Sequence, residues 1–470
     1  MDDLQWQVDT LGGVLPRLVD AIRDRGGLET LIQAARERED WFCAAGAVQE
    51  LCAAGTFGRA WAVVEPFAST GWQPAVRVGA DVLMRWGRVD QALELARPEG
   101  PPENAVDASR DYAALLLRAG RVEEAIGALG PHLRSGRVLT ALVEMTDGQG
   151  CDERVLELLA PIAEEFRRDP ERPGVRDLWD VLPAQARVLE RSGRVDEAIR
   201  LLGADVAARR HGVLNTVEFY AELLARRGRI VELRELADTH KHAAVHPYVR
   251  ARESLGQAAE AEAYLRGLIA ARHPGWYESM LMELLIRQGR FDDAIKAAEH
   301  TFDDLYDDNL LQGALSLLAD QGQHDKAIGL TQGRSPEFLA ENEDWLRSNR
   351  WWLMGESGRA REAIAEIEAL SADEVDDREL TIAWLLAQDA RVEEAIALLR
   401  SLPGKRAAND LAELLIHQGR FTEAIAAIPD VAAQRDEAGH GRTTRQESAS
   451  SDNGHAHGDP WATPNTAPLE

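Results

Sequence analysis

The stretch from Gly120 to Gly130 reads GRVEEAIGALG, and close variants of it recur along the chain. The pattern returns as GRVDEAIRLLG from Gly193, as GRFDDAIKAA from Gly289 and as GRFTEAIAAI from Gly419. With the first glycine as the index, equivalent positions are Gly55, Gly87, Gly120, Gly150, Gly193, Gly228, Gly256, Gly289, Gly322, Gly358, Ala390 and Gly419, with Gly26 as a weaker first position. The average step is about 33 residues, which indicates an array of stacked structural repeats.

Each copy predicts two helices joined by a turn at the index residue. After the index, apolar or small residues fall at offsets 2, 5, 6 and 9, as in Val122, Ala125, Ile126 and Leu129. This is the spacing of one face of a helix, and offsets −8, −7, −5 and −4 repeat it before the index. The acidic pairs at offsets 3 and 4 open the second helix, where the helix dipole favours anions.

Two small residues fix the geometry of the predicted pair. Glycine suits the turn because a left-handed conformation costs a residue with a Cβ about 1–2 kcal/mol, so Ala390 is the exception to examine. Alanine at offset 5 marks the closest approach of the two helices, where a larger side chain would overpack the contact. This alanine recurs as Ala60, Ala92, Ala125, Ala198, Ala294, Ala327, Ala363, Ala395 and Ala424.

The pattern resembles the tetratricopeptide repeat family over about residues 28–430. Departures from it are a proline-rich insertion over residues 168–183 and the larger Val155 and Leu233 at offset 5. The resemblance implies an all-α, right-handed superhelical solenoid of about 12 antiparallel helix pairs, whose first helices line a concave groove for a peptide or protein segment. We expect a repeat domain over residues 1–430, with capping helices in 1–40, and a disordered polar tail over 431–470.

Composition narrows the function classes. The chain carries 53 basic and 80 acidic side chains, a net charge of −27, which disfavours nucleic acids and acidic membrane surfaces as partners. We see no signal peptide and no apolar run of membrane-spanning length, and expect a cytoplasmic protein. Because the chain lacks HExxH, phosphate-loop, GxSxG and dinucleotide motifs, we assign no catalytic residues, no cofactor and no metal, and expect a non-enzyme.

Candidate groove residues lie at offsets −6 and −2 of the first helices. They are Arg85, Arg118, Arg187, Arg191, Glu222, Arg226, Arg250, Glu283, Arg287, Trp352 and Trp384. The arginines would clamp carboxylates of a partner and the tryptophans would anchor it. The alternatives are that the arginines serve the helix dipole and pair with nearby acids, and that the tryptophans pack between repeats.

These observations support an interaction scaffold or adaptor that binds a protein or peptide in the groove. The alternative is a regulator that responds to a small peptide or metabolite in the same groove. No distinct capping helix follows the Gly419 unit, so the solenoid end would be uncovered and self-association through the ends is a further hypothesis. His240, His242 and His246 lack a visible third metal ligand and are interpreted as surface histidines.

Overall fold

The computed structural model describes residues 2–98, 106–168, 178–208, 214–239, 241–271, 277–298, 302, 308–371 and 374–436. Within these ranges the regular secondary structure is helical, without strands, as the repeat pattern predicts. Helix α1 (Asp2–Thr10) precedes a series of helix pairs, each joined at one of the index residues.

The bounds of the paired helices follow the predicted ladder. In chain order the pairs are α2 (Pro16–Asp24) and α3 (Leu28–Glu37), α4 (Trp41–Ala53) and α5 (Phe57–Ala68), α6 (Gln73–Arg85) and α7 (Val89–Leu95), α8 (Val106–Arg118) and α9 (Val122–Leu129), α10 (Gly136–Met145) and α11 (Asp152–Arg168), α12 (Val181–Arg191) and α13 (Val195–Ala208), α14 (Leu214–Arg226) and α15 (Ile230–Thr239), α16 (Lys241–Ser254) and α17 (Ala258–Ala270), α18 (Tyr277–Arg287) and α19 (Phe291–Ala298), α20 (Asp308–Asp320) and α21 (His324–Leu330), α22 (Pro336–Glu356) and α23 (Ala360–Ala369), α24 (Arg378–Gln388) and α25 (Val392–Ser401), and α26 (Lys405–His417) and α27 (Phe421–Ala427). The pair α2 and α3 lies inside the segment predicted as capping helices, and its turn at Gly26 is built like the others.

The index turns have the predicted left-handed backbone. Every index residue has a φ between 61° and 82°, including Ala390 at 61°. In one copy the Gly120 N–H donates to the Leu117 carbonyl at 2.9 Å and the Arg121 N–H to the Leu116 carbonyl at 2.8 Å. These bonds satisfy carbonyls at the end of the first helix and set the direction in which the second begins.

Ala390→Gly is expected to raise the free energy of unfolding by about 0.5–1 kcal/mol. Glycine removes the left-handed strain, and its greater freedom in the unfolded chain returns part of that gain. The matched change is Gly419→Ala, which is expected to lower the free energy of unfolding. A Cβ there meets no atom within 4 Å, so the loss comes only from the left-handed backbone. Urea unfolding measures both, and destabilisation by both substitutions would contradict the turn's role.

The buried positions keep the predicted register. The nine alanines predicted at offset 5 are no more than 1% exposed. Val155 and Leu233, the larger residues at this offset, are fully buried, and the turns at Gly150, Gly193 and Gly228 are intact. The departures from the family pattern therefore change local packing without shifting the helix pairs.

The chain divides into two compact units. Over the described residues, unit 1 comprises 2–50 and 403–436, and unit 2 lies within 51–402. Helix α4 crosses the boundary between them.

In unit 1 the first helix pair packs against the last. Helix α2 contacts α26, and α3 contacts α27. The Arg38 guanidinium donates to the Ile428 carbonyl at 2.6 Å and to the Ile425 carbonyl, at the end of α27. The prediction that the Gly419 unit is left uncovered is therefore wrong for the described residues, because the first pair takes the place of a following repeat.

The ordered chain continues past residue 430. Residues 431–436 are helical, and the side chains of Val431 and Gln434 are buried. The Gln434 amide accepts from the Gly13 N–H and donates to the Gly13 carbonyl, both at 3.2 Å. The boundary predicted at 431 thus precedes a helical turn that belongs to unit 1, and residues 437–470 of the predicted tail lie outside the described residues.

Candidate partner-binding surface

The candidate surface is the polar face of consecutive first helices in unit 2, α6, α8, α10, α12, α14, α16 and α18, here called the first-helix face. Because offsets −6 and −2 are four residues apart, their side chains project from the same side of each helix. Neighbouring first helices contact each other, as α12 does with α10 and α14. The face therefore runs from one repeat to the next.

Arginines at offset −2 pair with acids one repeat earlier in the chain. Arg118 Nη1 lies 2.5 Å from Asp81 Oδ1, and the residues are 37 positions apart. Arg226 bonds Glu190 at 3.0 Å and Arg287 bonds Glu253 at 3.0 Å in the same way. These arginines join successive repeats, which agrees with the alternative that they pair with acids of the chain.

The remaining charged candidates also have partners within the chain. The pairs within single helices are Arg85 with Asp81 at 2.8 Å, Arg226 with Glu222 at 3.5 Å, Arg250 with Glu253 at 3.4 Å, and Arg287 with Glu283 at 3.5 Å. Exposed pairs of this kind contribute little to stability. A partner's carboxylate would compete with the chain's own acids for these arginines.

Arg191 is the most enclosed of the candidate arginines. Its side chain is 15% exposed, and it bonds Asp152 Oδ1 at 2.8 Å and Thr146 Oγ1 at 2.9 Å. It also donates to the Val143 carbonyl in the last turn of α10. This geometry places Arg191 in the connection between helix pairs rather than in contact with solvent.

A shallow cleft opens where α10, α12 and α14 meet. It has a cavity volume of about 10 Å³ and is lined by Thr140, Val143, Asp180, Pro183, Ala184, Arg187 and Phe219. The Arg187 guanidinium lies 5.0 Å from the centre of the Phe219 ring, a cation–π contact, and 3.9 Å from Glu144. The cleft thus combines an aromatic surface with a positioned cation.

Asp180 supplies a carboxylate to the same cleft. Burial raises its pKa, and the nearby charge of Arg187 acts in the opposite direction. Among the described residues, none donates a hydrogen bond to this carboxylate. A half-buried acceptor without a donor is a group that a bound segment can satisfy.

Of the residues that line the cleft, sequence reasoning selected only Arg187 and missed its aromatic and acidic neighbours. Phe219 lies at offset −9, outside the positions chosen as groove candidates, and Asp180 lies within the proline-rich insertion. The insertion was the available signal, because it interrupts the repeat step at the place where the cleft forms.

The two candidate tryptophans differ in their surroundings. A Cβ placed on Gly355 of α22 would lie 2.4 Å from two carbons of the Trp384 ring, so this ring packs against the backbone of the preceding first helix. Trp352 is half-buried, and its neighbour Trp351 is buried and donates Nε1–H to Glu366 at 3.3 Å. Packing therefore accounts for Trp384, and Trp352 stays a candidate contact.

A second charged pattern joins offsets 1 and 4 of the repeat. Arg121 Nε donates to Glu124 Oε1 at 2.6 Å, and this bond lowers the pKa of Glu124. Equivalent pairs are Arg194 with Glu197, Arg229 with Glu232, Arg290 with Asp293, Arg359 with Glu362, Arg391 with Glu394, and Arg420 with Glu423. The offset-4 acids interpreted as dipole partners are therefore also ion-paired within their own repeat.

Other sequence features give no site in the part of the chain that the structure describes. Among those residues, no three His, Cys, Asp or Glu side chains are grouped so as to hold a metal ion. His246 is exposed, while His240 and the side chain of His242 lie outside the described residues. In the same ranges, no helix combines the length and apolar character that crossing a bilayer requires.

No protein-family model and no curated protein matches the chain. Among solved structures it is similar to the pentatricopeptide repeat protein PPR10 from maize, at 13% identity and a TM-score of 0.32, over 91% of this chain and 70% of that one. It is also similar to a structure of Naa15/Naa10 bound to HypK-THB, at 14% identity and a TM-score of 0.33, over 82% and 67% of the two chains. A tetratricopeptide repeat protein from Parabacteroides merdae matches at 15% identity and a TM-score of 0.25, over 60% and 99%.

All three solved structures are distant, so these likenesses carry no argument about a partner. The helical-repeat fold is established by the thirteen helix pairs within the described ranges. PPR10 has also been solved in complex with an 18-nt psaJ RNA element. The prediction that this chain binds no nucleic acid comes from its net charge and stays a prediction.

Proposed function

We propose that the chain is a tetratricopeptide-like, non-enzymatic adaptor of the cytoplasm that binds a protein or peptide segment on its first-helix face. The observation that carries this proposal is the cleft between α10, α12 and α14. There a guanidinium in cation–π contact with an aromatic ring lies beside a half-buried carboxylate to which no described residue donates. Arginine and aromatic residues are the groups that dominate protein–protein hot spots.

The shape of the cleft favours a protein partner over a metabolite. The cleft is shallow, with a cavity volume of about 10 Å³, far below the roughly 300–1,000 Å³ typical of small-molecule sites. A partner segment would lie across it and continue over neighbouring helices. The first-helix face supplies that continuation, because its repeats lie in contact along unit 2.

Charge indicates the character of the partner. A chain with a net charge of −27 attracts basic segments and repels acidic ones over long range. A donor from a basic or amide side chain would satisfy the Asp180 carboxylate, and the flanking part of the segment would lie on Phe219. We therefore expect a partner of net positive charge.

Combined replacement of Arg187 and Phe219 by alanine is expected to weaken partner binding about tenfold or more, because the variant removes both the cation and its aromatic surface. The measurement is affinity purification from the native cell with the full chain, followed by titration of the recovered partner. Circular dichroism melting of the double variant verifies that it folds.

The matched control is Arg154→Ala on α11, a second helix, where the arginine is 51% exposed and pairs only with Glu157 among the described residues. Binding unaffected by Arg187→Ala with Phe219→Ala, or equally reduced by Arg154→Ala, would contradict the proposal. Treatment with ribonuclease distinguishes a protein partner from RNA. Loss of binding after the treatment would mean that the partner is RNA.

A further inference from the structure

We propose that residues 403–436 of unit 1 exchange between two copies of the chain. In the resulting dimer, α26 and α27 of each copy pack against α2 and α3 of the other. This segment contains the last helix pair and the turn that carries Gln434. The partner is thus a second copy of this chain, and the interface is the one already formed within each copy.

The contact between the ends has the character of a contact between repeats. Helix α2 packs on α26, a first helix on a first helix, in the way that α12 packs on α14. A Cβ on Gly27 would lie 2.9 Å from the Phe421 ring, so the turn of the first pair fits closely against the start of α27. Because the surfaces on both sides belong to every copy, exchange needs no new complementary surface.

Buried polar groups favour the same partner. Gln434 is 4% exposed and bonds Gly13 in both directions, while Arg38 bonds two carbonyls at the end of α27. An opened chain loses the bonds of Gln434 to Gly13 and of Arg38 to Ile425 and Ile428, and Gln434 keeps only its bond to the Pro429 carbonyl at 2.8 Å. The segment 403–436 of a second copy restores each bond, which an unrelated apolar surface does not.

The connection to unit 2 has the features of a hinge. Unit 1 resumes at Pro403, and only Leu402, Pro403 and Gly404 separate α25 from α26. Gly404 has φ 96° and ψ 162°, a conformation that is essentially restricted to glycine. Glycine adopts this conformation without strain, whereas a residue with a Cβ at 404 would strain this short connection in the closed chain and so favour exchange.

The test labels the two sides of the interface on different chains. Arg17 and Glu413 form an exposed ion pair at 3.7 Å, so each tolerates replacement by a spin-labelled cysteine. Cys151→Ser removes the half-exposed native thiol, and Cys43 and Cys52 are buried. Full-length Arg17→Cys and Glu413→Cys chains are mixed at high concentration, warmed below the melting temperature and cooled.

The expected result is a dimer, seen by light scattering, whose share rises with concentration. Its spin–spin distance should equal the short distance measured in a reference monomer that carries both labels, at positions 17 and 413. Gly404→Ala is expected to increase the dimer share, whereas Gly329→Ala, at an unhindered helical glycine, is not. A chain that stays monomeric in the mixing experiment would overturn the proposal, as would a dimer lacking the short distance. If Gly404→Ala misfolds, the mixing experiment on chains that keep Gly404 decides the question.

Discussion

Asp40→Ala is expected to lower the free energy of unfolding by about 3 kcal/mol. Asp40 is fully buried in unit 1, and its two carboxylate oxygens accept from different segments. Oδ1 accepts from the Cys43 N–H at 2.9 Å and caps the start of α4, while Oδ2 accepts from the Val14 N–H at 2.8 Å. Alanine removes a helix cap and leaves a buried N–H without an acceptor, and the two losses together give this magnitude.

Urea unfolding at neutral pH measures the effect. The control is Arg435→Gln, which removes an exposed ion pair with Asp3 in the same unit. We expect this control to behave like the wild type, because exposed pairs contribute little. An Asp40→Ala chain as stable as the control would show that Asp40 does not hold the two segments together.

The pH dependence of the Asp40 contribution follows from its burial. Burial raises the pKa of Asp40, against the opposing effect of its backbone donors and Arg38. The folded pKa lies above the unfolded value of about 3.9, so the protonation-linked part of the contribution is complete below that value and is lost as the pH rises through the folded pKa, while the bonds from the Val14 and Cys43 N–H groups remain. The stability difference between the wild type and Asp40→Asn is therefore expected to shrink as the pH rises from about 4. A difference that grows with pH would mean that the two N–H donors outweigh burial.

Arg191→Met is expected to lower the free energy of unfolding by about 2–3 kcal/mol. Methionine keeps much of the apolar bulk but removes the charged hydrogen bonds to Asp152 and Thr146. Bonds to charged groups contribute about 1.5–3 kcal/mol, and the partners of Arg191 are partly enclosed. The measurement is urea unfolding of the full chain.

Arg226→Met provides the matched comparison for Arg191→Met. Arg226 occupies the same offset and also pairs with an acid of the preceding repeat, but its side chain is 50% exposed. We expect this variant to stay close to the wild type. Equal losses in the two variants would mean that the arginines at offset −2 stabilise the chain to the same extent whatever their burial.

The sequence predicts the helix pairs because their determinants are local. A glycine at the turn and small residues at offset 5 act within a single repeat. The pattern therefore predicts the turns correctly even at Gly150 and Gly228, where the family match is weakest. The same locality explains what is missed. Gln434 and Gly13 are 421 positions apart, and no periodic signal connects them.

The candidate face is predicted in part for the same reason. Offsets −6 and −2 lie on the polar side of the first helices, but the partner of each side chain depends on the spacing between repeats. Arg187 and Trp384 have equivalent positions in the pattern, yet one stacks on Phe219 at a cleft and the other packs against Gly355. Repeat offsets do not distinguish these surroundings.

The composition of unit 1 has a consequence for synthesis on the ribosome. Residues 1–50 leave the exit tunnel first, whereas their packing partners near residue 434 follow only after more than 350 further residues. Domains generally fold as units, in the order in which their residues emerge. Unit 1 therefore completes its folding only after unit 2 has been translated, and during that delay the faces of α2 and α3 that pack on α26 and α27 lack their partners.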